Sequence, residues 1–188
     1  MIQKNIKITL LVITAILLTQ CGHGGKFDLA KGKVGALDTS TTIQELQAIF
    51  KNDSLVVRLS EGAMGSNYFQ DDDEYHVYEK GGAPLLIIVP KEPLDSTSTI
   101  KSIEILDPRF STKSGLTRQS DFQEINANNK INKVETSFLS ATLFIDELNI
   151  TVAIDKEELG LKSFSTQKVS LTQIPDLAKI KSLIVWFN

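Results

Sequence analysis

Histidine, cysteine and clustered carboxylates are the residues through which this chain could do chemistry, and the first two are scarce. The 188 residues contain two histidines and one cysteine. His23 lies among glycines, and His76 alternates with Tyr75 and Val77 as a strand residue with an ordinary hydrogen-bond partner. No Cys or His cluster has metal-ligand spacing. The stretch Gly62-Ala63-Met64-Gly65-Ser66 lacks the lysine of a phosphate-binding loop and the pattern of a nucleophile elbow. Asp71-Asp72-Asp73-Glu74 is the densest charge in the chain. Consecutive side chains cannot all converge on one ion, and the alternating ligands and distal glutamate of an EF-hand are missing. With 23 acidic residues, some carboxylates pair by chance, so no acid–base couple can be singled out. These residues predict a protein that is not an enzyme, with no cofactor and no metal.

The cysteine has a different chemistry. Lys4 and Lys7 form a basic start, Ile8 to Leu18 is an apolar run, and Leu18-Thr19-Gln20-Cys21 follows it. Crossing a bilayer takes about 20 apolar residues, so the run suits the hydrophobic region of a signal peptide better than an anchor. The arrangement resembles the lipobox of bacterial lipoproteins with a type II signal peptide, in which the cysteine thiol receives a diacylglycerol and becomes the new N-terminus. Gln20 departs from the small residue usual before that cysteine. The resemblance implies a signal peptide over 1–20, a lipid on Cys21 and attachment to a membrane of the cell envelope. Residues 22–33 contain four glycines and little apolar periodicity, so 21–33 reads as a lipidated cysteine and flexible tether. The positions after Cys21 are Gly22, His23 and Gly24. They resemble neither an inner-membrane retention signal nor an acidic surface-export signal, which implies the periplasmic face of an outer membrane.

Without the leader the chain carries 18 basic and 23 acidic side chains. A mildly acidic balance argues against binding a phosphate backbone, and no nucleic-acid partner is expected.

Self-comparison locates the elements that must position any site. Thr42-Ile43-Gln44-Glu45 matches Asp121-Phe122-Gln123-Glu124 at an offset of 79, and Ile100-Lys101-Ser102-Ile103 matches Ile180-Lys181-Ser182-Leu183 at 80. Between them, Val89-Pro90-Lys91-Glu92 matches Ile154-Asp155-Lys156-Glu157 at 65. Thr42 with Glu45 and Asp121 with Glu124 have capping-box spacing and start short amphipathic helices. Leu55 to Leu59, Tyr75 to Glu79, Leu85 to Val89 and Ile100 to Leu106 read as strands. The second half offers Ile131 to Phe138, a hairpin over Ala141 to Ile154 with Asn149 near its turn, and Ile180 to Phe187. The predicted fold is α+β: two tandem helix-plus-antiparallel-sheet repeats, 34–110 and 111–188, after a cleaved lipoprotein signal peptide. Trp186 and Phe187 read as core or sheet-face residues.

This order of elements weakly resembles small envelope lipoproteins of the BamE type and, in tandem, the β-lactamase inhibitory proteins. The resemblance implies a non-enzymatic, protein-binding module whose partner is another envelope protein. The alternative is an envelope hydrolase or a carrier of a small apolar ligand. The change of offset places an insertion near Glu61 to Asp73 in the first unit and another near Gly160 to Ala178 in the second. The first carries Tyr68 and Phe69 beside Asp71, Asp72 and Asp73. Apolar rings with acidic neighbours fit an interface centre and rim, so this loop is the expected partner-binding site.

Overall fold

The computed structural model describes residues 25–60, 72–162 and 164–188. Cys21, Tyr68, Phe69 and Asp71 lie outside those residues. The chain opens with three short strands, β1 (Asp28–Ala30), β2 (Lys33–Val34) and β3 (Leu37–Asp38). A 3-10 turn, Ile43–Glu45, runs into α1 (Leu46–Ile49). Then come β4 (Ser54–Arg58), β5 (Glu74–Tyr78), β6 (Pro84–Pro90) and β7 (Ile100–Ile105). The second half contains β8 (Ser111–Thr112), α2 (Phe122–Asn128), β9 (Lys133–Thr136), β10 (Ser140–Ile145), β11 (Ile150–Asp155) and β12 (Ile180–Trp186).

Local signals account for the helix starts and the turns. Glu45 accepts from the Thr42 N–H at 2.7 Å. In the second half the Glu124 N–H donates to Asp121 at 3.0 Å and the Asp121 N–H to Glu124 at 3.3 Å, so both capping boxes form. Gly81 and Gly82 turn the β5–β6 hairpin with φ of 119° and 94°. Asn149, at φ 56°, takes the left-handed position in the β10–β11 turn, where asparagine is tolerated.

The main sheet has eight antiparallel strands in the order β4-β5-β6-β7-β12-β11-β10-β9. Its strands run outward from a central β7–β12 pair, in which Ile184 faces Glu104 and Val185 faces Ile103. Opposed residues share a face. Leu55, Val77, Leu86 and Ile105 fall in one row, and Leu183, Val152, Leu143 and Val134 in another. That face is the core side: Val77, Leu86, Ile105, Leu183, Val152 and Leu143 are all buried. Ile43, Leu46, Phe122 and Ile125 from the helical segments pack into the same core. Helices this short are marginal alone, and burial of these side chains is what keeps them folded. The fold is thus α+β and mostly sheet, as expected, with both halves in one sheet and one core.

A second, four-stranded sheet, β3-β2-β1-β8, went unread in the sequence. It corrects the flexible tether over 21–33. Leu29 and Val34 are 2% and 1% exposed, Phe27 meets Phe110 edge-on at 5.0 Å, and β1 pairs in parallel with β8. The fold therefore begins by Asp28: strands of two or three residues are too short to show periodicity, yet Leu29, Val34 and Leu37 reach the core. β8 belongs to the unit read as 111–188 but closes the sheet of the first.

The strands have two ends. The chain enters at the proximal end, where Lys26 approaches Glu79 at 3.9 Å and Asp53 at 3.7 Å. The β5–β6 and β9–β10 turns lie at this end. Ser60, Asp73, the β6–β7 connection and the β10–β11 turn lie at the distal end.

Candidate functional surface

The sheet face opposite the core carries no helix among the described residues. One unbroken row crosses all eight strands: Val56, His76, Ile87, Glu104, Ile184, Thr151, Phe144, Lys133. Trp186 belongs to the same face, since its indole N–H donates to Thr151 Oγ1 at 2.9 Å. A sheet with one wet face ordinarily alternates apolar inside and polar outside. Here the outer row mixes aliphatic and aromatic side chains with charge; Val56 is 46% exposed and Ile87, Ile184 and Phe144 are half-buried, while His76 and Thr151 are buried beneath their neighbours.

The polar members are individually held. His76 Nε2 sits 2.7 Å from Glu74 Oε2, and the ring stacks 6.4 Å from Tyr78. That is the ordinary strand histidine expected from its position. Burial pushes the Glu104 carboxyl above its usual value, against the attraction of Arg118. Arg118 itself donates to the carbonyls of Ile180 and Lys181. Lys133 lies 5.3 Å from the centre of the Phe144 ring, a cation–π contact. The arrangement presents apolar area, rings and fixed charges on a rigid plate, which is what an interface needs. Among the described residues no group of three or more His, Cys, Asp or Glu could hold a metal ion.

The acidic run does not behave as one patch. Asp72 Oδ2 pairs with Lys101 Nζ at 3.0 Å and is partly exposed. Asp73 is 0% exposed. It accepts from the Ser60 N–H at 2.8 Å, the Ser60 hydroxyl at 2.9 Å and the Leu94 N–H at 2.6 Å. The reading of Asp73 as a steering charge on the partner-binding loop is therefore corrected. It turns inward, because three donors there compensate a buried carboxylate, and it ties the base of the 61–73 loop to the β6–β7 connection. Tyr68, Phe69 and Asp71 keep only their sequence argument.

A cleft of about 570 Å³ opens between β2, the end of α1 and the start of β6. Val34, Ile49, Phe50, Leu85, Leu86 and Phe110 form its apolar wall, with Lys26, Asp38 and Asp53 among the polar lining. Gly35, at φ 56°, lets the chain pass Lys26 so closely that a Cβ there would meet the Lys26 carbonyl oxygen at 2.5 Å. Beside the cleft, hydrogen bonds from Arg109 hold the carboxyls of Glu79 and Asp107 below their ordinary values. The same guanidinium stacks 4.4 Å over Phe27. Neither the open face nor the cleft was named from sequence. The outward alternation of Val56, Ile87, Phe144 and Ile184 was present there, but no strand shows which of its faces is covered.

The fold is similar to that of the uncharacterized protein yfeY from Escherichia coli, with a TM-score of 0.53 and 14% identity over 85% of this chain and 99% of that one. At that identity the likeness bears on fold alone. No family model matches the chain, and no curated protein does.

Proposed function

We propose that this chain is a lipoprotein of the bacterial cell envelope, anchored through Cys21, whose α+β domain is a non-enzymatic module that binds another envelope protein with the open face of its sheet. The observation that carries the reading is the eight-strand row from Val56 to Lys133, where apolar and aromatic side chains stand on a face that no element covers among the described residues. Tyr68, Phe69, Asp71 and Asp72 stay proposed as further contacts to that partner on their sequence argument. The periplasmic side of an outer membrane remains the proposed location.

We also read the domain as a tandem duplication. Support comes from bonds that repeat at the sequence offsets. Thr42 bridges Thr99 and Asp121 bridges Lys179. The Ile43 N–H donates to Ser98 O and the Phe122 N–H to Ala178 O; the Gln44 N–H donates to Ser96 O and the Gln123 N–H to Asp176 O. The register also shifts at matching places, between Val89 and Pro90 in β6 and between Ala153 and Ile154 in β11. This register gives an offset of 64 for these strands, one less than the sequence match. A doubled unit would supply a plate twice as wide as either half, broad enough for a macromolecular partner.

Two variants test the binding surface by photo-crosslinking in intact cells: Val56→Asp with Phe144→Ser on the sheet, and Tyr68→Ala with Phe69→Ala on the loop. The first pair is expected to cut capture of the crosslinked partner by about tenfold or more, while thermal unfolding shifts by no more than about 1 kcal/mol. Unchanged capture by both variants would overturn the reading.

The cleft favours one second reading, a carrier of a small apolar ligand, since its volume falls within the roughly 300–1,000 Å³ of small-molecule sites. Saturable binding of a fluorescent alkyl probe, reduced at least about tenfold by Phe50→Asp at the cleft wall, would support the carrier. No saturable binding would remove it.

A further inference from the structure

Apolar side chains stand exposed at the proximal end, away from both the open face and the cleft. Phe138 and Leu139, at the tip of the β9–β10 hairpin, are 63% and 47% exposed, and Phe164 is 73% exposed. They form one built corner. The Phe164 N–H donates to Phe138 O at 2.9 Å, and the Lys156 N–H donates to Leu139 O at 3.0 Å. Lys156, itself 1% exposed, sends its ammonium to the carbonyl of Ser165. Phe164 holds a left-handed backbone at φ 63°, a conformation that a non-glycine residue keeps only where its surroundings enforce it. The scaffold thus spends order on keeping large apolar side chains in water, which marks an interaction site.

Strand directions put this corner at the end where the chain enters. The Lys26–Glu79 contact and the β9–β10 tip both lie at the proximal end of the sheet, with β5 and β10 five strand spacings apart, roughly 24 Å. Only three residues separate Gly25 from Cys21, and the four residue steps between them span at most about 14 Å when fully extended. If Cys21 carries a lipid, the tether holds the entry of the chain within about 14 Å of the bilayer, so the bilayer is the nearest extended surface to the proximal end.

We propose that the proximal end of the sheet lies on the membrane, with Phe138, Leu139 and Phe164 entering the lipid headgroup region beside the Cys21 anchor. Amphipathic contacts of this kind add to a lipid anchor and set a protein's orientation. The open face then stands upright from the membrane, with Ser60 and Asp73 at the end away from it. The inference rests on the lipoprotein reading of Cys21.

The test uses the full processed chain, its lipid confirmed by mass spectrometry, in vesicles of phosphatidylethanolamine and phosphatidylglycerol containing brominated chains. The native Trp186, at the distal end, serves as internal reference. Phe138→Trp and Leu139→Trp each add a probe at an exposed position. Bromolipid is expected to quench the added emission roughly twofold while leaving the wild-type emission nearly unchanged. A lipidated chain whose added tryptophans are quenched no more than Trp186 would overturn the orientation alone. A dimer in detergent together with that result would give the corner to a second copy. A processed chain with no lipid on Cys21 would overturn the anchor, and the orientation with it.

Discussion

Replacing Cys21 with serine is expected to abolish membrane attachment of a processed chain. The thioether to diacylglycerol needs a thiolate nucleophile, and serine cannot supply one under the same conditions. Among the described residues no helix is long and apolar enough to cross a membrane; under the proposed reading the lipid on Cys21 is the anchor. Each buried methylene of an acyl chain contributes about 0.8 kcal/mol to membrane binding, and removing the lipid removes that sum at once. Cell fractionation with fatty-acid labelling reads the result. The wild type should be labelled and sediment with membranes. The serine form should carry no label and be found either as the longer, uncleaved precursor or in the soluble fraction. Label retained by the serine form would rule out attachment at Cys21.

The second large effect is expected at Asp73. Burial is the strongest single influence on this carboxyl and would raise it. The N–H of Leu94 and the N–H and hydroxyl of Ser60 together outweigh burial, so the group is held below its ordinary value. Asp73→Ala leaves those donors unpaired in a buried position. Each buried group left without its partner costs about 1–3 kcal/mol, and some donors will find water, so a loss of about 3 kcal/mol is expected. For a chain of this size that lowers the melting temperature by roughly 6–12 °C. The pH dependence has a definite sign. A lowered folded-state value means that the stabilisation is fully present above the unfolded carboxylate value, about 3.9. It is lost as pH falls through the lower folded value. Asp73→Asn should therefore lose part of the stability at neutral pH and show a flatter acid limb below about pH 4. An alanine variant that melts with the wild type would mean that the loop base is held by other contacts.

Much of the scaffold was legible because it rests on short-range rules. The capping pairs Thr42–Glu45 and Asp121–Glu124 form as their spacing predicts. Every segment read as a strand in the two halves lies in the main sheet within a few residues of its expected bounds. Asn149 sits in the turn it was assigned, and Phe187 is buried in the core. Of the candidate site, Asp72 and Asp73 lie among the described residues and differ in role: Asp72 pairs with Lys101 and Asp73 turns inward.

What the sequence by itself determined is the order and type of elements, the leader pattern ending at Cys21 and the matching offsets of 79 and 80. Helix caps, alternation and turn residues act over a few positions, and they read the same in any context. Tertiary structure alone decided three things. It joined the halves through β7 and β12, which no local pattern specifies. It drew Asp28 to Ala30 into a second sheet, where the local β1–β2–β3 pairings are joined by β8, whose Ser111 and Thr112 lie more than 80 positions from their partners in β1. And it chose which face of each strand was covered: burial of Val77 and Leu86 on one side left Val56, Ile87 and Phe144 on the other. The same choice turned Asp73 inward from an otherwise acidic loop, since a carboxylate follows its hydrogen-bond donors, and those donors come from Ser60 and Leu94, 13 and 21 residues away.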